Sequence, residues 1–176
     1  MSEMKDLLEM MEATSDGADL PEIYCDMDQV LCDFIKGADK AVGGSFVQAD
    51  KKMRWDKIAQ TKDFWANLTW MPGAKRLYSF ISKYDPHILS AASDRDDNSR
   101  RGKLKWLNKN TKFKRSNINI VKRADKKKFA TTDGKPNVLI DDYQKNITEW
   151  ESMGGIGVHH TETGKTIAEL KRLGYK

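Results

Sequence analysis

The sequence holds few of the residues that build disulfide frameworks or zinc sites. Of its 176 residues, 2 are cysteines and 3 are histidines. Because Cys25 and Cys32 have neither the spacing of a metal finger nor that of a redox motif, we expect both to be reduced thiols in a cytoplasmic protein. His159 and His160 are adjacent, but no third ligand has a suitable spacing, which argues against a metal site there.

Long apolar runs are also absent. No stretch of about 18 consecutive apolar residues occurs, so we predict no membrane-spanning helix. The segment MSEMKDLLEMMEATSDGADL is acidic and lacks the basic start and apolar run of a signal peptide, which adds to the expectation of a cytoplasmic protein without a membrane partner. The length suits one domain with a small insertion.

Charge is distributed unevenly along the chain, whose formal net charge is +5. The segment 100–128 holds 13 basic residues and one acid, which gives it a charge of +12, whereas the remainder holds 18 basic and 25 acidic residues. Such a basic block is typical of nucleic-acid-binding segments and also of a solvated helix face with the loop that follows. The composition leaves both interpretations open.

Apolar strand segments alternate with amphipathic helical segments. The strand segments are PEIYCDMD, HILSAAS, NINIV, NVLIDD and GIGVHH. One helix, predicted over residues 98–110, is basic, and we expect its Trp106 and Leu107 to lie in the core. Gly43 is predicted to end an earlier helix and Thr163 to cap the last one. This order predicts an α/β fold, a parallel sheet flanked by helices.

The chain divides into a core, an insertion and an N-terminal segment. We predict a core formed by residues 21–44 and 72–176, preceded by an N-terminal tail over residues 1–20 in which residues 3–12 form a short helix. Residues 45–71 are aromatic and polar and have no strand pattern, which predicts a small helical cap insertion. Because this insertion is short, we expect it to enclose a substrate only in part.

Acidic side chains follow two of the predicted strands. Asp26 and Asp28 come at the end of the first strand, and Asp141 and Asp142 at the end of the fourth. Ligands of parallel sheets bind beyond the carboxyl ends of the strands. Carboxylates gathered there raise each other's pKa, and a hard divalent cation such as Mg²⁺ removes that conflict. A carboxylate can also act as a nucleophile that forms an aspartyl-phosphate.

The same edge offers groups for binding a phosphate. A phosphate calls for a hydroxyl, a free backbone N–H and a fixed lysine. Ser90 and Ala91 supply the first two, and the lysines near position 126 supply the third. Asp94 and Arg95, which follow shortly after, either line the cleft or lie on a surface loop.

Four segments together resemble the motifs of the haloacid dehalogenase (HAD) superfamily. IYCDMDQVLCDF is similar to its first motif, ILSAAS to its second, RADKKKFA to its third and VLIDDY to its fourth, in the family's order over residues 22–143. The DMDQVLCDF form and the segment FWANLTWMPGAKRLYSFI resemble the 5'(3')-deoxyribonucleotidase branch. Gln29 stands where that branch has a glycine, so we expect altered backbone geometry in this turn.

The resemblance implies a Mg²⁺-dependent phosphatase acting on (deoxy)nucleoside monophosphates. Asp26 would attack the phosphorus, and Asp28 would protonate the leaving hydroxyl and then help to deprotonate water. Asp26, the backbone carbonyl of Asp28 and Asp141 would hold Mg²⁺, with Asp142 in support.

The resemblance also implies substrate-binding residues. Ser90, the Ala91 amide and Lys126 would bind the phosphate, although Lys122, Lys127 and Lys128 are alternatives to Lys126. The aromatic residues of the insertion either stack on a base or form its small core. The best candidates for facing the ligand are Phe34, Phe46 and Trp65.

Three functions stay open on this basis. The first is hydrolysis of small phosphorylated substrates, in particular nucleoside monophosphates. The second is the same chemistry on the 3'-phosphate end of a nucleic acid or on another small phosphomonoester. The third is nucleic-acid binding on a HAD scaffold that has lost catalysis, against which the complete set of aspartates argues.

Overall fold

A parallel sheet forms the centre of the molecule, in a computed structural model that describes residues 20–176. The helix predicted near the N-terminus lies outside the described residues. The strands are β1 (Ile23–Cys25), β2 (His87–Ala91), β3 (Ile118–Val121), β4 (Thr131–Thr132), β5 (Lys135–Pro136), β6 (Val138–Asp141) and β7 (Ile156–His159). Five of them form the sheet in the order β3-β2-β1-β6-β7, and β4 and β5 form a separate antiparallel hairpin.

The central strand sets the position of the others. Tyr24 of β1 pairs with His87 of β2 on one side and with Leu139 of β6 on the other, and both pairings are parallel. The pairs β2–β3 and β6–β7 are also parallel. The carboxyl ends of all five strands therefore lie along one edge of the sheet, and Asp26 follows the end of the central strand. The predicted α/β fold with a parallel sheet is confirmed.

Helices surround the sheet. They are α1 (Phe34–Val42), α2 (Lys51–Gln60), α3 (Ala74–Ile81), α4 (Ser99–Asn110), α5 (Gln144–Ser152) and α6 (Thr163–Arg172). Short 3-10 helices cover Trp65–Asn67, Ser82–Tyr84, Arg115–Asn117 and Arg123–Phe129. None of the helices in the described part of the chain is long and apolar enough to cross a membrane.

Side chains of the sheet alternate between two cores, as the period of two in a strand requires. Ile23, Ile88 and Ile140 belong to the larger core, which also contains Trp106 and Leu107 of α4. The neighbouring Tyr24, Leu89 and Leu139 pack in a smaller core with Trp150. The expected burial of Trp106 and Leu107 is confirmed.

The predicted helix ends are confirmed at one position and wrong at another. Gly43 ends α1 with a φ of 75°, the left-handed conformation that glycine adopts readily. Thr163 does not cap the last helix: it is the first residue of α6, and the capping position is Glu162. A Cβ placed on Gly73 would lie 2.8 Å from Thr163 Oγ1, so this hydroxyl packs against the start of α3.

The turn after β1 is tight and keeps a left-handed residue. The Met27 carbonyl accepts hydrogen bonds from the N–H groups of Val30, Leu31 and Cys32. Gln29 has a φ of 60°, a left-handed conformation that glycine adopts more readily than other residues. Its side-chain Oε1 accepts a hydrogen bond of 3.0 Å from the Ile35 N–H, in the first turn of α1. Gln29 thus preserves the turn and connects it to α1.

Residues 45–71 contain α2 and the 3-10 helix Trp65–Asn67. Asp50 caps α2, since its Oδ1 accepts hydrogen bonds from the Lys52 and Met53 N–H groups. Two indoles join this segment to the rest of the molecule. Trp65 Nε1 donates to Asp96 Oδ2 at 2.7 Å, and Trp106 Nε1 donates to the Leu68 carbonyl at 2.8 Å.

Two substitutions of Gln29 separate the contribution of its side-chain hydrogen bond from the cost of its left-handed backbone. Gln29→Ala is expected to lower the free energy of unfolding by about 1 kcal/mol, because it removes the acceptor for Ile35 and keeps the left-handed backbone. Gln29→Gly removes the same acceptor but relieves the backbone, so it is expected to be about 1 kcal/mol more stable than the alanine variant. Urea unfolding measures both, and an alanine variant at least as stable as the glycine variant would contradict the left-handed conformation.

Gly102 tests the contact between α4 and Trp65. A Cβ at Gly102 would lie 2.4 Å from Trp65 Cβ, an atom that cannot rotate away. Whereas glycine-to-alanine changes within helices ordinarily stabilise, Gly102→Ala is expected to destabilise the protein by about 1–3 kcal/mol through overpacking. Gly44→Ala is the control, since no atom lies within 4 Å of its Cβ position. Equal urea midpoints for the two variants would contradict the close approach.

Candidate active site

Pairing of β1 with β6 brings two acidic side chains together. The Asp26 N–H donates to the Ile140 carbonyl at 2.9 Å, so Asp26 lies next to Asp141 at the end of β6. Asp26 is 7% exposed and Asp141 is fully buried. One oxygen each from Asp26, Asp141 and Asp142 lies within 4.8 Å of the others. Three carboxylates predicted from the strand ends therefore form one cluster.

Lys126 neutralises part of this cluster. Its Nζ lies 3.0 Å from Asp26 Oδ1 and 2.8 Å from Asp141 Oδ2, and the residue is 3% exposed. Burial lowers the pKa of the Lys126 ammonium, but the charges of Asp26 and Asp141 outweigh it, so that the pKa lies above its usual range. The alternatives Lys122, Lys127 and Lys128 are exposed.

Asp141 is held rigidly. Its Oδ1 accepts a hydrogen bond of 2.9 Å from the Tyr143 N–H, and its Oδ2 accepts one of 3.0 Å from Asn146 Nδ2. Burial and the nearby charge of Asp26 raise the pKa of Asp141 to about 6. Burial, followed by the charges of Asp26 and Asp141, raises the pKa of Asp142 to about 7. Burial and mutual repulsion thus both disfavour ionisation of the carboxyl groups in this cluster.

A second buried lysine, Lys103, binds Asp28. Lys103 Nζ lies 2.9 Å from Asp28 Oδ2 and 2.9 Å from Ser90 Oγ, and it donates to the Ala91 carbonyl at 2.6 Å. Lys103 is 2% exposed, although it belongs to the basic helix α4. Its Nζ also lies 5.2 Å from the centre of the Trp65 ring. The Lys103 ammonium thus contacts Asp28, the carboxyl end of β2 and the aromatic segment 45–71.

The basic block 100–128 does not by itself distinguish Lys103 from its other cations. The available signal was its position on the helix. Lys103 precedes Trp106 and Leu107 by three and four residues, so all three side chains lie on the same helical face. A lysine on the buried face of an amphipathic helix requires a partner, because burial of an unpaired charge is costly.

Asp28 has one carboxylate oxygen without a partner. Its Oδ2 binds Lys103, whereas Oδ1 is buried and has no hydrogen-bond partner within residues 20–176. The carboxylate lies outside the metal-type cluster formed by Asp26, Asp141 and Asp142. Of the predicted metal ligands, Asp28 is thus the one expected to contribute its backbone carbonyl.

Ser90 and Ala91 lie at the end of β2, beside Lys103. Ser90 is fully buried, and Ala91 is half-buried. The Ala92 N–H donates to the Val121 carbonyl of β3 at 2.8 Å. Because successive N–H groups of a strand point to opposite sides, the Ala91 N–H points away from β3, towards the side of β1.

The aromatic candidates pack against one another. The Phe34 ring stacks on Trp65 with centroids 5.4 Å apart, and it contacts Phe46 edge-on at 5.3 Å. Phe46 and Trp65 are buried, whereas Phe34 and its neighbour Trp55 are half-buried. The cluster is therefore largely a small core, in which Phe34 and Trp55 keep exposed surface.

No protein-family model matches the sequence, and no curated protein matches it. Among solved structures, a hydrolase from Streptococcus pneumoniae TIGR4 has a TM-score of 0.55 at 11% identity, over 87% of this chain and 100% of that chain. The L-2-haloacid dehalogenase from Xanthobacter autotrophicus has a TM-score of 0.50 at 10% identity, over 89% of this chain and 84% of that chain.

A HAD family enzyme from Bacteroides thetaiotaomicron, solved with magnesium and inorganic phosphate, has a TM-score of 0.46 at 12% identity, over 83% of this chain and 96% of that chain. That similarity is too low to support an argument about the present site. The two higher scores agree with the α/β architecture of a parallel sheet flanked by helices. The chain therefore shares its fold with these two proteins, one of which is a haloacid dehalogenase.

Proposed function

We propose that the protein is a magnesium-dependent phosphomonoesterase that hydrolyses (deoxy)nucleoside monophosphates through an aspartyl-phosphate at Asp26. The observation that supports this most strongly is the charge of the site. Four carboxylates, those of Asp26, Asp28, Asp141 and Asp142, face two buried lysines. With all carboxylates ionised, the group carries an excess of two negative charges.

The donor set fits a magnesium ion. Mg²⁺ prefers oxygen ligands and binds through one or two carboxylates together with substrate phosphates. Asp26, Asp141 and Asp142 offer three oxygens within 4.8 Å of one another, and the backbone carbonyl of Asp28 is a further ligand in our proposal. When bound, the ion balances the excess negative charge and draws a phosphate towards Asp26.

Asp26 acts as the nucleophile in this proposal. A carboxylate oxygen of Asp26 forms a bond to phosphorus while the bond from phosphorus to the nucleoside oxygen breaks. Lys126, which lies 3.0 Å from Asp26 Oδ1, orients this carboxylate and balances its charge as the dianionic substrate arrives. Such positioning and charge stabilisation account for most of the catalysis of phosphoryl transfer.

Asp28 acts as the acid and then as the base. Protonated Asp28 donates its proton to the departing nucleoside oxygen, and the resulting carboxylate then takes a proton from the water that attacks the phosphorus of the aspartyl-phosphate. That attack breaks the bond to Asp26 and releases inorganic phosphate. The free Asp28 Oδ1 is the atom available for these transfers, because Lys103 binds Oδ2.

An acid at this position favours a phosphate ester over a haloalkanoic acid as the substrate. An alkoxide leaving group needs a proton, whereas a halide ion leaves without one. The carboxyl group of Asp28 therefore supports phosphatase chemistry, and Lys103 positions it through Oδ2. Ser90, the Ala91 amide and Lys126 are the proposed ligands of the phosphate oxygens, and the sugar and base would extend towards Phe34.

The segment 45–71 completes the proposed site as a cap. Its Trp65 lies over the Lys103 ammonium and is anchored by Asp96. The half-buried Phe34 stacks on that indole and offers an aromatic surface for a base. Phe46 and Trp65 support this surface from within the cluster.

Phosphate release tests the proposed activity. Purified protein with Mg²⁺ is expected to release phosphate from dUMP or dTMP, and Asp26→Asn is expected to abolish the release because an amide does not replace a carboxylate nucleophile. Asp133→Asn, an exposed acid on the β4–β5 hairpin, is the matched control and should keep wild-type turnover. Absence of turnover over a panel of phosphomonoesters, together with tight and salt-sensitive DNA binding, would favour a non-catalytic nucleic-acid-binding protein.

Lys103→Met tests the positioning of Asp28. The variant is expected to lower kcat with dTMP by at least about tenfold, because the acid loses its partner. The loss should be smaller with p-nitrophenyl phosphate, whose leaving group needs little protonation. Lys105→Met, which removes an exposed lysine of the same helix, is the control. Equal losses with both substrates would show that Lys103 does not act through Asp28.

A further inference from the structure

A second cleft opens beside the proposed active site, between α2 and the loop after β2. Its volume is about 440 Å³, and it is open to solvent, since all its lining residues except the half-buried Trp55 are exposed. The lining residues are Asp50, Lys51, Lys52, Trp55, Asp56 and Arg95. None of them belongs to the catalytic machinery proposed above.

Each of the two walls of the cleft adjoins a part of the proposed active site. Arg95 lies on the loop that follows Ser90 and Ala91, and the next residue, Asp96, anchors that loop to Trp65 at 2.7 Å. On the other wall, the centre of the Trp55 ring lies 6.1 Å from that of Phe34. A chain that continues from a nucleotide stacked on Phe34 would therefore reach Trp55 and Arg95.

Ion pairs leave two cations of the cleft available. Lys52 Nζ binds Asp56 Oδ2 at 2.7 Å, and Asp50 is occupied in capping α2. The side chains of Lys51 and Arg95 have no ion-pair partner in the part of the chain that the structure describes. The cleft thus contains two acids that already have partners. It also contains two cations that are available to bind an anion.

The half-buried Trp55 indole provides the other recognition element. An aromatic ring beside cations is the arrangement with which proteins bind single-stranded nucleic acids, because any base stacks on the ring and the cations attract the backbone phosphate. None of the residues that line the cleft belongs to the basic block 100–128, whose Lys109, for example, is at the carboxyl end of α4, on the opposite edge of the sheet. The binding chemistry is therefore concentrated between the cap segment and the catalytic edge.

We propose that this cleft binds the nucleotide next to a terminal phosphate, so that the enzyme acts on the phosphate end of a single-stranded oligonucleotide. The inference rests on the proposed phosphatase function. A mononucleotide would leave the cleft empty, whereas a dinucleotide would place its second base on Trp55 and its internucleotide phosphate near Lys51 and Arg95.

Steady-state kinetics with three substrates test the inference. The substrates are dTMP, a thymidine dinucleotide with a 5'-phosphate and one with a 3'-phosphate. At least one dinucleotide is expected to have a kcat/KM about tenfold higher than that of dTMP, corresponding to one stacked base. Arg95→Ala and Trp55→Ala should each lower the ratio of dinucleotide to mononucleotide kcat/KM by about fivefold or more, and added salt should lower it too.

Lys109→Ala is the control, since it removes an exposed cation of the basic block on the opposite edge of the sheet and should keep the wild-type ratio. A wild-type ratio near one would overturn the inference and leave the phosphatase proposal intact. An equal loss of kcat/KM for mononucleotide and dinucleotide in Trp55→Ala would also overturn it. That result would mean that Trp55 contacts the base of the reacting nucleotide.

A binding measurement separates this inference from the activity on which it rests. Fluorescence anisotropy of a labelled oligothymidylate is recorded with the full chain carrying Asp26→Asn, with and without Arg95→Ala. A loss of affinity of about fivefold or more on adding Arg95→Ala supports the cleft even if no substrate is hydrolysed. Unchanged affinity overturns the cleft, whereas failure to hydrolyse all three substrates overturns only the proposed activity.

Discussion

The ion pairs of Lys126 with Asp26 and Asp141 are the interaction on which the rest of the site depends. Parallel pairing of β1 and β6 places two carboxylates side by side in a buried position, where their repulsion would oppose folding. Lys126, which follows β3, places its Nζ 3.0 and 2.8 Å from oxygens of these carboxylates and reduces their repulsion. Asp142 adds a further carboxylate, and in the proposed function a divalent cation would balance this charge and allow a phosphate to bind.

The two buried lysines divide the proposed work. Lys126 comes from the segment after β3 and serves the nucleophile and the metal edge, whereas Lys103 comes from the helix after β2 and serves Asp28. Lys103 also approaches Trp65, so the acid is coupled to the cap segment through one ammonium and one indole. The adjoining cleft borders the same aromatic cluster, since the ring centre of its Trp55 lies 6.1 Å from that of Phe34.

The fold and the carboxylate cluster could be predicted because they follow from local patterns: apolar strands alternating with helices, and acids where those strands end. Lys103 could not be distinguished by residue type from its 12 basic neighbours, since only its helical face and tertiary packing make it a buried partner. The left-handed Gln29 and the packing of Thr163 against Gly73 likewise depend on neighbours remote in sequence or on backbone geometry.

The most direct measurement is the mass of the enzyme stopped by acid during turnover with Mg²⁺ and a hydrolysable phosphomonoester, followed by peptide mapping. One added phosphoryl group is expected on the peptide that contains Asp26, and it should be lost on treatment with hydroxylamine, as an acyl phosphate requires. Phosphate release at a normal rate by a variant lacking the Asp26 carboxylate, or a phosphoryl group found on any other residue, would show that Asp26 is not the nucleophile.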